Sequence, residues 1–410
     1  MLIGHHKKRK EGWFMVSSIA TNKNTFNFKA SILSISLVFG MGASISAVLP
    51  AIQKTLPDVS ETGINLIATI PQAGVIVFLL LSNFFVKFIG IKKTILTGLL
   101  MMGISGIIPM FSESYFLILV SRFIFGAGIG IFNALAITII NLNFSGKEES
   151  KLLGFRGSME GIGATIASLL VGALVVLGWH AVFAVYLLVF IIAIYFWKFG
   201  PDIAISDNQS SKELHSENSG TQKINFKVWI LGLLLVLLVM VQIVVIIQIP
   251  RILLERHITT ASVASLIVAL NTFAGMFGGI LFGDAYTKLG KTAFSTFLIG
   301  DAIGLIILSS ATHLITAIIG TIMVGIFGSF MCIAAFNLMT NVTRPSARAN
   351  ANTILLLGCN VGSFTAPFGI KLMQELLSTN VASPLVGFAM TLFIVAILFF
   401  VIRNVFYTNK

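Results

Sequence analysis

Four ionisable side chains stand in stretches where the chain is otherwise apolar. Arg122 lies in Ser121-Arg122-Phe-Ile-Phe-Gly126-Ala-Gly128-Ile-Gly130, and Asp301 in Leu-Ile-Gly-Asp301-Ala-Ile-Gly with no basic residue near it in sequence. Arg156 and Glu160 are spaced i, i+4, so on a helix they share a face and can pair. These groups form no nucleophile–base arrangement, metal-ligand cluster or nucleotide loop, so neither an enzyme nor a cofactor is expected. Their chemistry is the handling of charge and protons inside a membrane. A buried arginine costs at least about 2.5–3.5 kcal/mol on insertion scales, so Arg122 needs a compensating partner. That partner is an acid, an anionic substrate or a set of carbonyls. Glu160 stands between two opposing influences, desolvation and the Arg156 charge, which suits either a proton carrier or a permanent ion pair. Asp301, unpaired at mid-span, suits proton coupling or a neutral acid bonded to a neighbour.

The elements that position these groups are membrane helices. The chain has 410 residues, 56% hydrophobic and 10% charged, with a mean hydropathy of +0.98. A soluble domain carries roughly 25% charged residues, so lipid must cover most of this surface. Apolar runs fall at 30–53, 62–86, 93–112, 115–140, 152–177, 180–199, 227–250, 262–286, 292–310, 313–339, 349–374 and 383–405. Each meets the requirement of about 20 residues per helical crossing. A β-barrel is excluded because the runs are continuous, not alternating, and far longer than about ten residues. If the loops alternate in side, 22 of the 27 Lys and Arg residues collect on the side of both chain ends. That bias places both ends in the cytoplasm of a multi-pass cell-membrane protein. The net charge of +12 is then a topology signal and an attraction to anionic lipid, not a nucleic-acid surface.

Residues 201–226 break the pattern with a polar stretch, PDIAISDNQSSKELHSENSGTQK, that reads as a cytoplasmic linker. The expected organisation is a tail at 1–28, a six-helix bundle at 29–200, the linker, a second six-helix bundle at 227–405, and a tail at 406–410. No apolar signal segment precedes Lys29, and Met15 offers an alternative start. The glycosylation patterns at Asn208 and Asn341 fall on the cytoplasmic side and are discounted. Cys332 and Cys359 lie in apolar spans and read as small core residues.

The halves repeat each other. Lys87-Phe-Ile-Gly90-Ile-Lys92-Lys93 follows the second helix, and Gly283-Asp284-Ala-Tyr-Thr-Lys288-Leu-Gly290-Lys291 follows the eighth. Phe125-Gly126 likewise answers Phe327-Gly328. Internal repeats of this kind are typical of secondary transporters.

On these residues the chain resembles the major facilitator superfamily. The resemblance spans about 29 to 405 and implies an all-α membrane protein with twelve transmembrane helices as two pseudo-symmetric six-helix bundles. Gly90, Lys92 and Lys93 match the end of the family's loop signature, with Asn83 and Lys87 where its first glycine and aspartate stand. Gly283, Lys288, Gly290 and Lys291 form the second copy, with Thr287 in place of the acid and Asp284 three residues earlier. The resemblance makes these the gating loops. Arg122 and the glycines after it look like the family's helix-four motif. Helix five carries Gly154, Gly157, Gly161, Gly163 and Gly172 but lacks the Gly-Pro of the antiporter motif.

The amides Gln72, Asn133, Gln242, Gln248, Asn271, Asn337 and Asn360 are the candidate cavity lining, each also able to serve as glue between helices. The reading is a monomeric secondary transporter of a small organic molecule, coupled to protons through Glu160, Asp301, Arg122 and Arg156, with efflux by antiport favoured. Uptake of an organic anion by symport, with Arg122 as its ligand, is the alternative. A non-transporting sensor or scaffold is the third class, and no soluble signalling domain supports it.

Overall fold

The structure, a computed structural model, describes residues 26–144, 146–201, 225–344, 347–378 and 380–406, without the side chains at 43, 83, 147, 150, 349, 404 and 405. The tail with Met15, most of the linker with Asn208, and Lys410 lie outside the described residues.

Among them the chain is helical and has no strand. The helices are α1 (Phe26–Thr55), α2 (Glu61–Ile89), α3 (Ile91–Met110), α4 (Tyr115–Asn143), α5 (Gly146–Leu174) and α6 (Trp179–Phe199). They continue as α7 (Phe226–Glu255), α8 (Ala261–Leu289), α9 (Ala293–Ser309), α10 (Leu314–Val342), α11 (Arg348–Leu376) and α12 (Ser383–Phe406). A helix stands at each of the twelve expected positions, with α8 and α9 forming one continuous apolar stretch, Ala261–Ser309. Helices are the answer to an apolar solvent, where each backbone amide must find its partner within the segment. Many are 29 or 30 residues long, so their ends project beyond the hydrocarbon core.

Local chemistry sets the ends. The Ser60 hydroxyl accepts from the Gly63 amide at 3.2 Å to start α2, and the Asn225 side chain accepts from the Lys227 amide at 3.1 Å to start α7. Gly90 (φ +80°) and Gly290 (φ +55°) end α2 and α8 in the left-handed region that favours glycine. The two loops therefore turn on glycine at matching positions, as the repeat implied. Two ends differ from expectation by more than four residues. α7 runs past Pro250 to Glu255, because a proline removes one amide donor and the rest of the helix still has its bonds. α5 begins at Gly146, not 152. Glu148 and Glu149 suit its positive N-terminal end, and Glu148 bridges to Lys29 of α1 at 2.6 Å.

The packing repeats with the sequence. In the first half α1 lies on α5, α2 on α4, and α3 on α4 and α6. In the second, α7 lies on α11, α8 on α10, and α9 on α10 and α12. The halves meet along α2–α11 and α5–α8, two contacts that the same symmetry exchanges.

Candidate functional site

The contact between the halves is uneven. On the side away from the chain ends it is latched. Arg251 of α7 forms an ion pair with Glu61 of α2 and holds Glu255 at 2.7 Å. Gln374 of α11 donates to the two Glu61 oxygens at 3.3 and 3.5 Å. Ser265 of α8 donates to the Ser168 carbonyl of α5 at 3.1 Å, and Gly172 lets α5 approach Ser262 and Ser265. Further along, Gly161 still touches Met276. Beyond that level Gly154, Gly157 and Gly283 have nothing within 4 Å of the position a Cβ would take. The helices part there, leaving a cleft open toward the chain ends.

A small cavity marks the apex of the cleft. Ser46 of α1, Ala68, Thr69 and Gln72 of α2, Ile243, Ile246 and Ile247 of α7, and Ser363 of α11 line it. The Ser46 and Thr69 hydroxyls are buried without a protein partner. Ser44, two residues from Ser46, instead returns its hydroxyl to the Met41 carbonyl at 2.7 Å. Pro250 and Pro367 remove the usual donors for the carbonyls of Ile246 and Ser363, both in this lining. The apex is thus an apolar wall with a few polar groups from both halves, the usual make-up of a small-molecule site.

Glu160 lies one residue from the Gly161–Met276 contact and is exposed where the helices part. The expected Arg156–Glu160 pair is not closed. Among the described residues Glu160 forms no ion pair within 4.0 Å and no hydrogen bond. Arg156 turns to α4 instead, donating to the Asn133 Oδ1 at 3.0 Å and lying 5.2 Å over the Phe39 ring. Phe39 in turn stacks on Phe132 at 5.2 Å. The α1 stretch that carries Phe39, Val38–Val48, winds as a 3₁₀ helix, a form often found at hinges. Gly40 there fits against the Glu160 carbonyl.

Arg122 is placed otherwise than as an anion ligand. It is 0% exposed and outside the cavity lining. Its Nε donates to the Ile67 carbonyl at 3.2 Å, one terminal nitrogen to the Tyr186 hydroxyl at 2.9 Å, and the other to the Gly42 carbonyl at 2.8 Å. The guanidinium also lies 4.4 Å over Phe125. No acid pairs with it among the described residues. Its compensation is three oxygens and two rings, those of Phe125 and Tyr186.

Asp301 is also 0% exposed, and it meets Gln242 of α7, whose Nε2 donates to its oxygens at 3.4 and 3.3 Å. The amides divide. Gln72 lines the apex, Asn133 holds Arg156, and Gln242 is half-buried beside Ile243. Gln248 is fully buried with neither amide atom bonded, so it does not line the cleft. Asn271 bonds the Thr321 carbonyl of α10 at 3.2 Å and acts between helices. Asn360 returns to the Leu356 carbonyl at 2.8 Å, and Asn337 is half-buried on α10. In the loops Lys93, Gly283, Asp284, Lys288, Gly290 and Lys291 are exposed and Lys92 is half-buried. Asp284 makes no ion pair among the described residues.

Phe39, Ser46, Thr69 and Ser363 were not expected at the site, nor was the Glu61–Arg251–Gln374 latch. The latch left a signal. The far-side loops carry few charges, so Glu61 and Arg251 were available to each other.

Two six-helix bundles around a central cleft define the transporter class to which the chain belongs. The pattern of the Major Facilitator Superfamily matches residues 31–367, and the protein is a member of that family. It is a multi-pass membrane transporter, not an enzyme. Solved structures agree in fold. The inward-open xylose transporter XylE from E. coli superposes with a TM-score of 0.73 at 15% identity, over 92% of this chain and 95% of that one. A bacterial homologue of the human lysosomal transporter Spinster, inward-facing and unoccupied, gives 0.71 at 15%, over 94% and 96%. The nucleoside transporter NupG gives 0.75 at 13%, over 92% and 100%. No curated protein sequence matches the chain.

Proposed function

We propose that the protein is a proton-coupled efflux antiporter for a small organic molecule, working by alternating access as a monomer in the cell membrane. The bundles at 29–200 and 227–405 rock about the apex of the cleft, with the 201–226 linker and both tails in the cytoplasm. In this reading the structure is the inward-open state. The observation that carries the proposal is Glu160. It is a carboxyl exposed at the point where α5 and α8 part, with its sequence partner Arg156 held by Asn133. A rocking movement brings α5 and α8 together there and changes the surroundings of this one group. Protonation of Glu160 is thereby linked to which side is open. Gln72, Ser46, Thr69 and Ser363, with the isoleucines of α7 opposite, offer a largely apolar site that suits an uncharged or amphiphilic substrate.

The runner-up is uptake of an organic anion by proton symport; a D-xylose–proton symporter has a similar fold. One feature favours an anionic substrate in that case. The Nε of Arg156 is buried without a partner, and the residue stands half-exposed in the cleft wall.

The test is transport in proteoliposomes across a compound panel, with and without an imposed pH gradient. Accumulation driven by the gradient against its proton flux establishes antiport. Accumulation along the proton flux moves the assignment to symport. Transport indifferent to pH removes the proton from the reading.

A further inference from the structure

Asp301 is the one fully buried carboxyl among the described residues, and the coupling scheme built on Glu160 makes no use of it. Both its oxygens face the Gln242 Nε2, at 3.4 and 3.3 Å. Space for that amide is provided by Gly328 of α10, where a methyl would overlap the Nε2, Cδ and Oε1 of Gln242. No cation pairs with Asp301 among the described residues. The titratable group of α10 that interacts with Asp301 is Cys332, which also interacts with Cys359 of α11. α9 itself carries no other ionisable residue, and Arg403 of α12 lies near that helix's end. Lys227, Arg251 and Glu255 of α7, and Asp284 and Lys288 of α8, lie near their helix ends. So does each of Arg348, Lys371 and Glu375 of α11. Gln242 is half-buried, next to Ile243 and one turn from Ile246, which line the apex cavity.

We propose that Asp301 is a positioning residue whose protonation state sets which end of the Gln242 amide is turned to the central cavity. The inference rests on the transport reading for its purpose, though not for its chemistry. A carboxylate only accepts hydrogen bonds, whereas a glutamine amide has one donor end and one acceptor end. With Asp301 ionised, the NH₂ is drawn to it and the carbonyl end is left for the cavity. When Asp301 takes a proton from cavity water, an O–H bond forms on its carboxyl. That O–H is then a donor, and the amide turned about its last bond gives it Oε1 and leaves the NH₂ for the cavity. Loss of the proton to water reverses the turn. A substrate contact changes from acceptor to donor although proton and substrate never touch. A wrongly matched buried polar contact costs far more than a missing apolar one, so such a turn selects substrates.

The experiment is infrared difference spectroscopy on the full-length protein in phosphatidylethanolamine–phosphatidylglycerol vesicles, with glutamine side chains carbon-13 labelled and the pH stepped. The wild type is expected to give a carboxyl band and a labelled-amide band that titrate together. Asp301→Asn should lose both although Gln242 is still present, and Gln242→Leu should lose only the amide band. Gly328→Ala, which crowds the amide, should keep the carboxyl band and lose the amide change. It serves if Asp301→Asn does not fold. Persistence of the amide change in Asp301→Asn, or absence of a carboxyl band that this variant removes, overturns the inference. Linked bands in a protein that moves no compound would refute the transport reading and leave this one standing.

Discussion

The Nε of Arg122 donates at 3.2 Å to the carbonyl of Ile67, four residues before Pro71. That carbonyl is the one in α2 that Pro71 leaves without its helical donor. The arginine supplies from α4 what the proline took from α2. Its other bonds reach Gly42, in the 3₁₀ stretch of α1, and Tyr186 of α6. One side chain thus ties four helices of the first bundle.

Arg122→Ala is expected to destabilise the protein by on the order of 3 kcal/mol, since it leaves several buried oxygens without donors. Arg122→Lys should recover part of this, because an ammonium lacks the planar fork that reaches three acceptors. In a Pro71→Ala background Ile67 regains a donor, and the cost of Arg122→Ala should shrink. Unfolding of the four variants in detergent measures this coupling. Additive effects would mean that Ile67 and Arg122 are independent.

The sequence made the architecture plain and the site only in part, for different physical reasons. Helix number and ends follow from runs of apolar residues and from single caps such as Ser60 and Gly90, all local signals. The family likeness of Arg122 was legible, but its partners were not. Pro71 in a helical run implies a free carbonyl at Ile67, but that Arg122 fills it is visible only once α2 and α4 are known to sit side by side. The i, i+4 rule favours an Arg156–Glu160 pair, yet it knows nothing of Asn133 on the next helix, which holds Arg156. Gln248 and Gln242 look alike in a span, and only packing puts one in the core and the other beside the cavity.

The Glu61–Arg251 latch is about a quarter to a third exposed, 32% and 24% for the two side chains, so its worth is small, roughly 1 kcal/mol or less. That is still up to about a fivefold change in the population closed on the far side. Glu61→Gln should speed labelling of a cysteine at Ser363 by an impermeant thiol reagent added from outside, in a chain freed of Cys332 and Cys359. The double swap Glu61→Arg with Arg251→Glu should restore the slow rate. Equal labelling in all three would remove the latch from the gating.

Glycines should separate by what they face. A methyl at Gly126 would overlap the Pro71 carbonyl, where backbone leaves no room to yield, whereas one at Gly157 meets nothing within 4 Å. Gly126→Ala is expected to cost about 1–3 kcal/mol. Gly157→Ala, within a helix and unobstructed, should be neutral or stabilising by up to about 1 kcal/mol. Thermal unfolding of the two variants compares them directly.

The proposed orientation rests on charge: if the loops alternate in side, 22 of the 27 basic residues of the sequence fall on one side. A cysteine placed at residue 208, outside the described residues, should resist impermeant thiol reagents in intact cells and react once the membrane is opened. Ready labelling from outside would invert the topology and with it the direction of every transport step.

The coupling assignment rests on contrast between two acids. Asp301 is fully buried behind Gln242, the one side from which its proton can come and go, while Glu160 is exposed in the cleft with no ion pair among the described residues. A proton carrier must meet water on each side in turn, and Glu160 sits where α5 and α8 separate. Glu160→Gln fixes a neutral, protonated-like group of nearly the same shape. If protonation of Glu160 drives the cycle, this variant should lose gradient-driven flux and keep exchange of substrate across the membrane, because exchange needs the movement but not the proton step. Arg156→Gln should act differently. Removing the charge that Asn133 holds changes the field at Glu160 without removing its proton, so flux should persist with a displaced pH profile. Flux and exchange measured in the same vesicles decide the matter. Full gradient response in Glu160→Gln, with loss in Asp301→Asn, would move the carrier to α9. Full response in both would leave the transporter uncoupled from protons.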